Sequence, residues 1–111
     1  MSVAEVSIVP VGTASASVSE HVAKAVSVLA RSSRVKYRVV PMGTTIEGEL
    51  ADILDVIKRM HEAVFDSEVR RVVTHIAIDD RRDKAISMES KVRSVLRKLD
   101  RQKVRADVRG Q

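Results

Sequence analysis

The chain has no cysteine and no tryptophan, and among its 111 residues only Tyr37 and Phe65 are aromatic. Without cysteine there is no disulfide framework and no thiolate chemistry, a composition that fits a reducing compartment. Without rings, the core has to be assembled from Val, Ile, Leu, Ala and Met. No apolar run approaches the roughly 18 residues of a membrane-spanning helix. The first residues also lack the basic-then-apolar order of a secretory signal. At 44% hydrophobic the chain is too apolar for disorder, and its length suits a single domain. The expectation is one soluble, cytoplasmic domain with no membrane partner.

Charge is present but unevenly placed. Residues 1–87 hold 12 Lys/Arg and 12 Asp/Glu, whereas residues 88–111 hold 8 basic and 3 acidic side chains, which accounts for the whole formal net charge of +5. A basic excess points to a polyanion as partner. Confined to one terminal segment, it leaves the body of the domain with no basic balance of its own, which weakens a nucleic-acid reading.

Periodicity supplies the elements. In "VAEVSIVP" (3–10) Ala4, Val6 and Ile8 alternate with Glu5 and Ser7, as in a half-buried strand. Ser17 with Glu20 forms a capping box for a helix running to about Arg31, with Val18, Val22, Val26 and Leu29 as its apolar stripe. "VKYRVV" (35–40) alternates again, Pro41 ends it, and "TTIEGE" starts a short third strand. Leu50, Ile53, Leu54, Ile57, Met60 and Val64 trace a second helix, and "RRVVTHIAID" (70–79) reads as a long strand with Val72, Thr74, Ile76 and Ile78 on one face. Ser87 is placed to cap a last helix whose stripe is Met88, Val92, Val95, Leu96 and Leu99. Residues 1–100 form the domain, and 101–111 form a basic tail of weak periodicity, expected to fray.

The order β-α-β-β-α-β with an added C-terminal helix predicts an α+β, ferredoxin-like sandwich with the first and third strands central. In that topology the first two strands run parallel, so "PVGT" (10–13) and "PMGT" (41–44) leave the sheet at the same edge. His61 and Phe65, near the end of the second helix, fall close to it. Gly12 and Gly43 permit tight turns and close backbone approach to a small molecule. Two readings stay open: ordinary strand ends, or a site formed by convergent loops. If Ala4, Val6 and Ile8 face the helices, Glu5, Ser7, Thr45 and Glu47 share the open face of the sheet. Glu47 there either pairs with Lys36 or Arg38 across strands or accepts hydrogen bonds from a cationic or amino-bearing ligand. An open face bearing Val40, Val73 and Ala77 also invites sheet-to-sheet self-association.

"VAEVSIVPVGT", "PMGTTIEGE", "VIKRMHEAVF" and "RVVTHIAIDDRRDK" together resemble the small thiamine-binding, YkoF-like family, from about Ser2 to Leu99. The resemblance implies a ferredoxin-like fold and homodimers joined through their sheets into homotetramers. It also implies binding of thiamine or its hydroxymethylpyrimidine half without catalysis, so no cofactor is expected. The candidate ligand-binding residues are Ser7, Thr13, Met42, Gly43, Thr44, Thr45 and Glu47. A carboxylate such as Glu47, with the Thr44 or Thr45 hydroxyl and Gly43 backbone groups, suits the donor and acceptor edge of an aminopyrimidine. The cationic thiazolium favours an acidic or aromatic surround.

Catalytic and metal-binding patterns are lacking. His21, His61 and His75 have no ligand spacing, His61 reads as a packed histidine, and no nucleophile elbow, P-loop or dinucleotide fingerprint occurs. In "IDDRRD" internal ion pairing competes with hard-metal binding. The rival reading is a nucleic-acid-binding module that uses the basic C-terminal segment. RNA-binding sheets of this topology stack bases on open-face aromatics, and here neither Tyr37 nor Phe65 sits on a central open-face strand.

Overall fold

In the computed structural model, which describes residues 1–13 and 19–109 and the side chains up to residue 102, the chain runs β1 (Ser2–Pro10), α1 (Ser19–Ala30), β2 (Lys36–Val40), β3 (Gly43–Gly48), α2 (Leu50–Val64), β4 (Val72–Asp79) and α3 (Met88–Arg109). The strands form one sheet in the order β2-β3-β1-β4, every neighbouring pair antiparallel. β1 and β3 are central, and β1 and β2 run parallel without touching. This is the ferredoxin-like arrangement that the order of elements predicts. Among the described residues no helix is long and apolar enough to cross a membrane.

Alternation decides which side chains become core. Ala4, Val6 and Ile8 of β1 and Ile46 of β3 face the helix layer. Ala25 and Leu29 of α1 and Ile53, Val56, Ile57, Met60 and Val64 of α2 close over them. Each fully buried aliphatic side chain contributes about 1.5–3 kcal/mol by leaving water, and no aromatic ring takes part. The helical stripes differ from expectation in detail. On α2, Val56 is buried and Leu54 is exposed. On α1, Ala25 joins Leu29 in the core while Val22 and Val26 are half-buried. The proposed cap Ser17 and stripe residue Val18 lie outside the described residues. Tyr37 and Val39 point to the helix side but stay exposed, because β2 is an edge strand beyond the cover of α1.

The cap of α3 forms as expected, and reciprocally. The Ser90 N–H donates to Ser87 Oγ at 3.0 Å and the Ser87 N–H donates to Ser90 Oγ at 2.8 Å. Residue 100 is not a break in secondary structure, since α3 continues through Arg109. Within its stripe Met88 is buried, whereas Val92, Val95, Leu96 and Leu99 are exposed. The charged loop before α3 pairs internally, Arg81 with Asp83 and Arg82 with Asp80, while Lys91 reaches back to Asp79.

Asp66 fastens the α2–β4 loop to α1. It accepts the Lys24 ammonium at 2.8 Å on one oxygen, and the Val69 and Glu68 N–H groups at 2.7 and 2.8 Å on the other. The Lys24 hydrogen bond first, then the two backbone donors, hold its carboxyl far below the usual carboxylate range. A group with a depressed folded pKa contributes stability at neutral pH that is lost as pH falls below its unfolded value, near ~3.9 for Asp. Asp66→Asn is therefore expected to be less stable than the parent at pH 7 and to lose less on further acidification below about pH 4. Urea denaturation at a series of pH values reads both effects.

Candidate functional site

The two Pro–Gly–Thr loops do converge at one end of the sheet, and their glycines act for different reasons. Gly12 adopts φ +81°, the left-handed region that glycine enters without strain. Gly43 has no such φ. A Cβ built on it would lie 2.6 Å from the Val6 carbonyl oxygen, so the bare backbone is what lets β3 close on β1.

That close approach is also where the pairing ends. The β1–β3 ladder runs from Ser2↔Gly48 to Val6↔Thr44 and stops, whereas β1 continues along β4 to Pro10↔Val72. Among the described residues, 7–10 thus have no partner strand on the β3 side. The Pro41–Met42 turn diverges from β1, and Val22 and Val26 of α1 overhang the gap, leaving a hollow of about 260 Å³. The consecutive residues Val6–Val9 and Val39–Thr44 all line it. Successive strand residues point to opposite faces, so a wall made of consecutive residues is a strand edge, and much of its polarity is peptide N–H and C=O. Among the described residues no ionisable side chain lines the hollow.

The sequence-predicted site residues divide between two places. Ser7, Met42, Gly43 and Thr44 line the hollow. Thr44 is only 4% exposed and faces the helix side, and Met42, 82% exposed, stands at the mouth. Thr45 lies on the opposite face, in a second hollow of about 360 Å³ shared with Glu5, Arg38, Asp79 and Lys91 below the first turns of α3. Glu47 is also on that face, 7% exposed between Val3 and Lys36, and lines neither hollow. Among the described residues no ion pair reaches its carboxylate, so of the two readings left open for Glu47 the cross-strand pairing with Lys36 or Arg38 does not form. Thr13, half-buried beyond Gly12, lines neither hollow.

His61 is a packed histidine as expected. Its Nδ1 is 2.7 Å from Thr74 Oγ1, and its ring meets Phe65 edge-on at 5.4 Å between centroids. Neither ring enters the hollow. The lining residues that sequence reasoning missed are apolar and include Val9, Val22, Val26 and Met60. Three of them sit in helical stripes indistinguishable from core. Among the described residues no group of His, Cys, Asp or Glu is placed to hold a metal ion.

Comparison with known proteins gives a consistent result. A family model described as thiamine-binding protein matches residues 4–96. The UPF0045 protein YqgV of Bacillus subtilis is 46% identical over 102 residues, covering 89% of this chain and 98% of that protein. A solved structure of a hypothetical protein from Methanocaldococcus jannaschii superposes with a TM-score of 0.77 at 41% identity, over 85% of this chain and 94% of that one. A candidate thiamine biosynthesis/salvage protein of Thermotoga maritima superposes with a TM-score of 0.70 at 26% identity, over 85% and 97% of the two chains.

Gly43→Ala tests the close approach directly. The added methyl must displace backbone rather than a flexible side chain, so a loss of about 1–3 kcal/mol is expected in chemical denaturation. An unchanged midpoint would mean that the β1–β3 contact yields without cost.

Proposed function

Because the chain belongs to the thiamine-binding protein family, we propose that it binds thiamine or its hydroxymethylpyrimidine half at the free edge of β1 and performs no reaction on it. The observation that carries this reading is the unpaired run Ser7–Pro10 beside the hollow. An aminopyrimidine presents a ring nitrogen acceptor next to an amino donor, the same alternation a neighbouring strand would offer to a bare edge. The Thr44 hydroxyl, on the helix side, supplies a further partner, Ser7 lines the hollow through the strand edge, and Val22, Val26 and Met60 supply apolar surface for the ring. Such a small apolar pocket with a few convergent polar groups is the usual form of a small-molecule site. A cationic thiazolium finds no counter-charge in the lining and extends past Met42 toward water.

The same reading has a second copy of the chain covering the open face. The exposed Val92, Val95, Leu96 and Leu99 of α3, with the half-buried Val73 and exposed Ala77 on the open face of β4, present apolar surface in the single chain. Burial against a copy is the economical outcome.

Calorimetry with thiamine and with hydroxymethylpyrimidine tests the site. Thr44→Val keeps shape and removes one hydroxyl, and is expected to weaken binding by about 0.5–1.5 kcal/mol, roughly two- to twelvefold. Glu47→Gln is expected to leave affinity unchanged. The reverse result, loss in Glu47→Gln alone, would move the site to the open face. Light scattering at micromolar concentration is expected to give a dimer or tetramer, and a monodisperse monomer would refute the self-association.

A further inference from the structure

Helix α3 carries a pattern that the ligand site leaves unused. Arg93, Arg97 and Arg101 recur every four residues, and the sequence repeats the same step at Arg105 and Arg109 within the helix. Successive arginines stand about 6 Å apart along the axis, each turned about 40° from the last, so they form one gently winding ridge. That ridge lies on the outer side of the helix. Met88 is buried and Val92 lines the hollow over the sheet, so their stripe faces inward. Arg97 is nine residues from Met88, two and a half turns, and so stands on the opposite side. All three arginines are exposed, and among the described residues none is in an ion pair. Arg34, Arg59, Arg81 and Arg82, by contrast, each meet a carboxylate. Between Arg93 and Arg101 the chain adds Lys98 and a single acidic residue, Asp100. Like charges four residues apart repel and destabilise a helix, so the row is costly until an anion neutralises it.

From these features we propose that the arginine ridge of α3 docks along the phosphate backbone of a nucleic-acid duplex without reading its sequence. The contact goes beyond the small-molecule reading and does not depend on it. The shape of the ridge narrows the partner. Its three described arginines span about 12 Å on a convex surface, so they cannot converge on one phosphate or one nucleotide. A stiff polymer with charge at regular intervals matches a regular row, and arginine is the side chain that pairs with phosphate through two parallel hydrogen bonds. An anionic membrane is the poorer fit. A helix lying in a bilayer surface buries its apolar face in the lipid, whereas here that stripe is turned to the sheet and the ridge points the other way. Single strands are held by stacking bases on aromatic rings, and α3 has none. Phosphate contacts position a protein on a duplex and carry no sequence information. Residues 1–87 are balanced in formal charge, so the attraction arises in α3 and is separable from the rest of the domain by substitution.

Fluorescence anisotropy of a labelled mixed-sequence DNA duplex, titrated with the full chain at about 50 to 200 mM salt, reads the contact. The logarithm of the affinity is expected to fall with the logarithm of salt at a slope of about −2.7 or steeper, 0.9 for each phosphate neutralised. Replacing Arg93, Arg97 and Arg101 together with Gln keeps good helix formers in place. That variant is expected to lose about 2.7 from the magnitude of the slope and to bind about tenfold more weakly or worse at low salt. Arg31, Lys58 and Arg70 are three exposed cations outside α3 that take part in none of the described ion pairs. Their joint replacement with Gln removes the same net charge and is expected to change affinity by less than about twofold. Circular dichroism checks that both variants keep the parent's helix content, and a second duplex of unrelated sequence is expected to bind equally well. Equal losses in the two triple variants would reduce the effect to net charge and overturn the proposal. So would no measurable binding at the lowest salt, a slope that the ridge variant leaves unchanged, or single-stranded DNA binding as tightly as duplex. Preference for vesicles of phosphatidylserine and phosphatidylcholine over the duplex would assign the ridge to a membrane instead.

Discussion

The pairing of β1 with β3 ends at Val6 and Thr44 while β1 itself goes on to Pro10, and the candidate site follows from that mismatch. Gly43 sits against the Val6 carbonyl with no room for a side chain. Two residues before it, Pro41 has no N–H to donate and a fixed φ, so the β2–β3 turn cannot extend the ladder. A strand edge that would elsewhere be consumed by a neighbour is left facing a gap. Because Val6, Ala25 and Met60 belong both to the core and to the wall of the hollow, a ligand there would fill space that the core leaves open. Binding would therefore add to stability by simple linkage.

Much of this was legible in the residues. Strand alternation gave the correct faces for Ala4, Val6 and Ile8 against Glu5 and Ser7, and the order of elements placed both Pro–Gly–Thr loops at one edge. The Ser87 cap and the internal pairing of the Arg81–Asp83 loop were readable as local chemistry. The grouping of Thr44 with Thr45 and Glu47 was different. Period-two geometry sends Thr44 to the helix side and the other two to the open face, so neighbours in sequence cannot share one side of the sheet. That constraint was present in the sequence and was outweighed by the motif's continuity.

Other features were not legible because they depend on where helices sit relative to strands. The burial of Val56 in place of Leu54 is a matter of helix rotation, and the exposure of Tyr37 and Val39 reflects how far α1 reaches across the sheet. The continuation of α3 through Arg109 has a local cause that hydrophobic periodicity does not register. Arg, Lys, Gln and Ala dominate that segment and all have high intrinsic helix propensity.

The scarcity of rings connects the core to the surface. A Phe or Tyr buries roughly 150–250 Å² and projects well beyond a Val or Ala. Here two helices packed through Ala25, Leu29, Ile53, Val56, Ile57 and Met60 cover the central strands β1 and β3, and the edge strands keep Tyr37, Val39, Ile76 and Ile78 in water. Short side chains set a narrow helix layer, and a narrow layer cannot span four strands. β2 tolerates this because its open-face positions carry Lys36 and Arg38, well solvated beside the exposed apolar pair. β4 has no such charge within its span before Asp79, so the same shortfall leaves branched apolar side chains bare there. The composition that excluded thiolate and aromatic chemistry thereby also determines which surface of the domain is left unfinished.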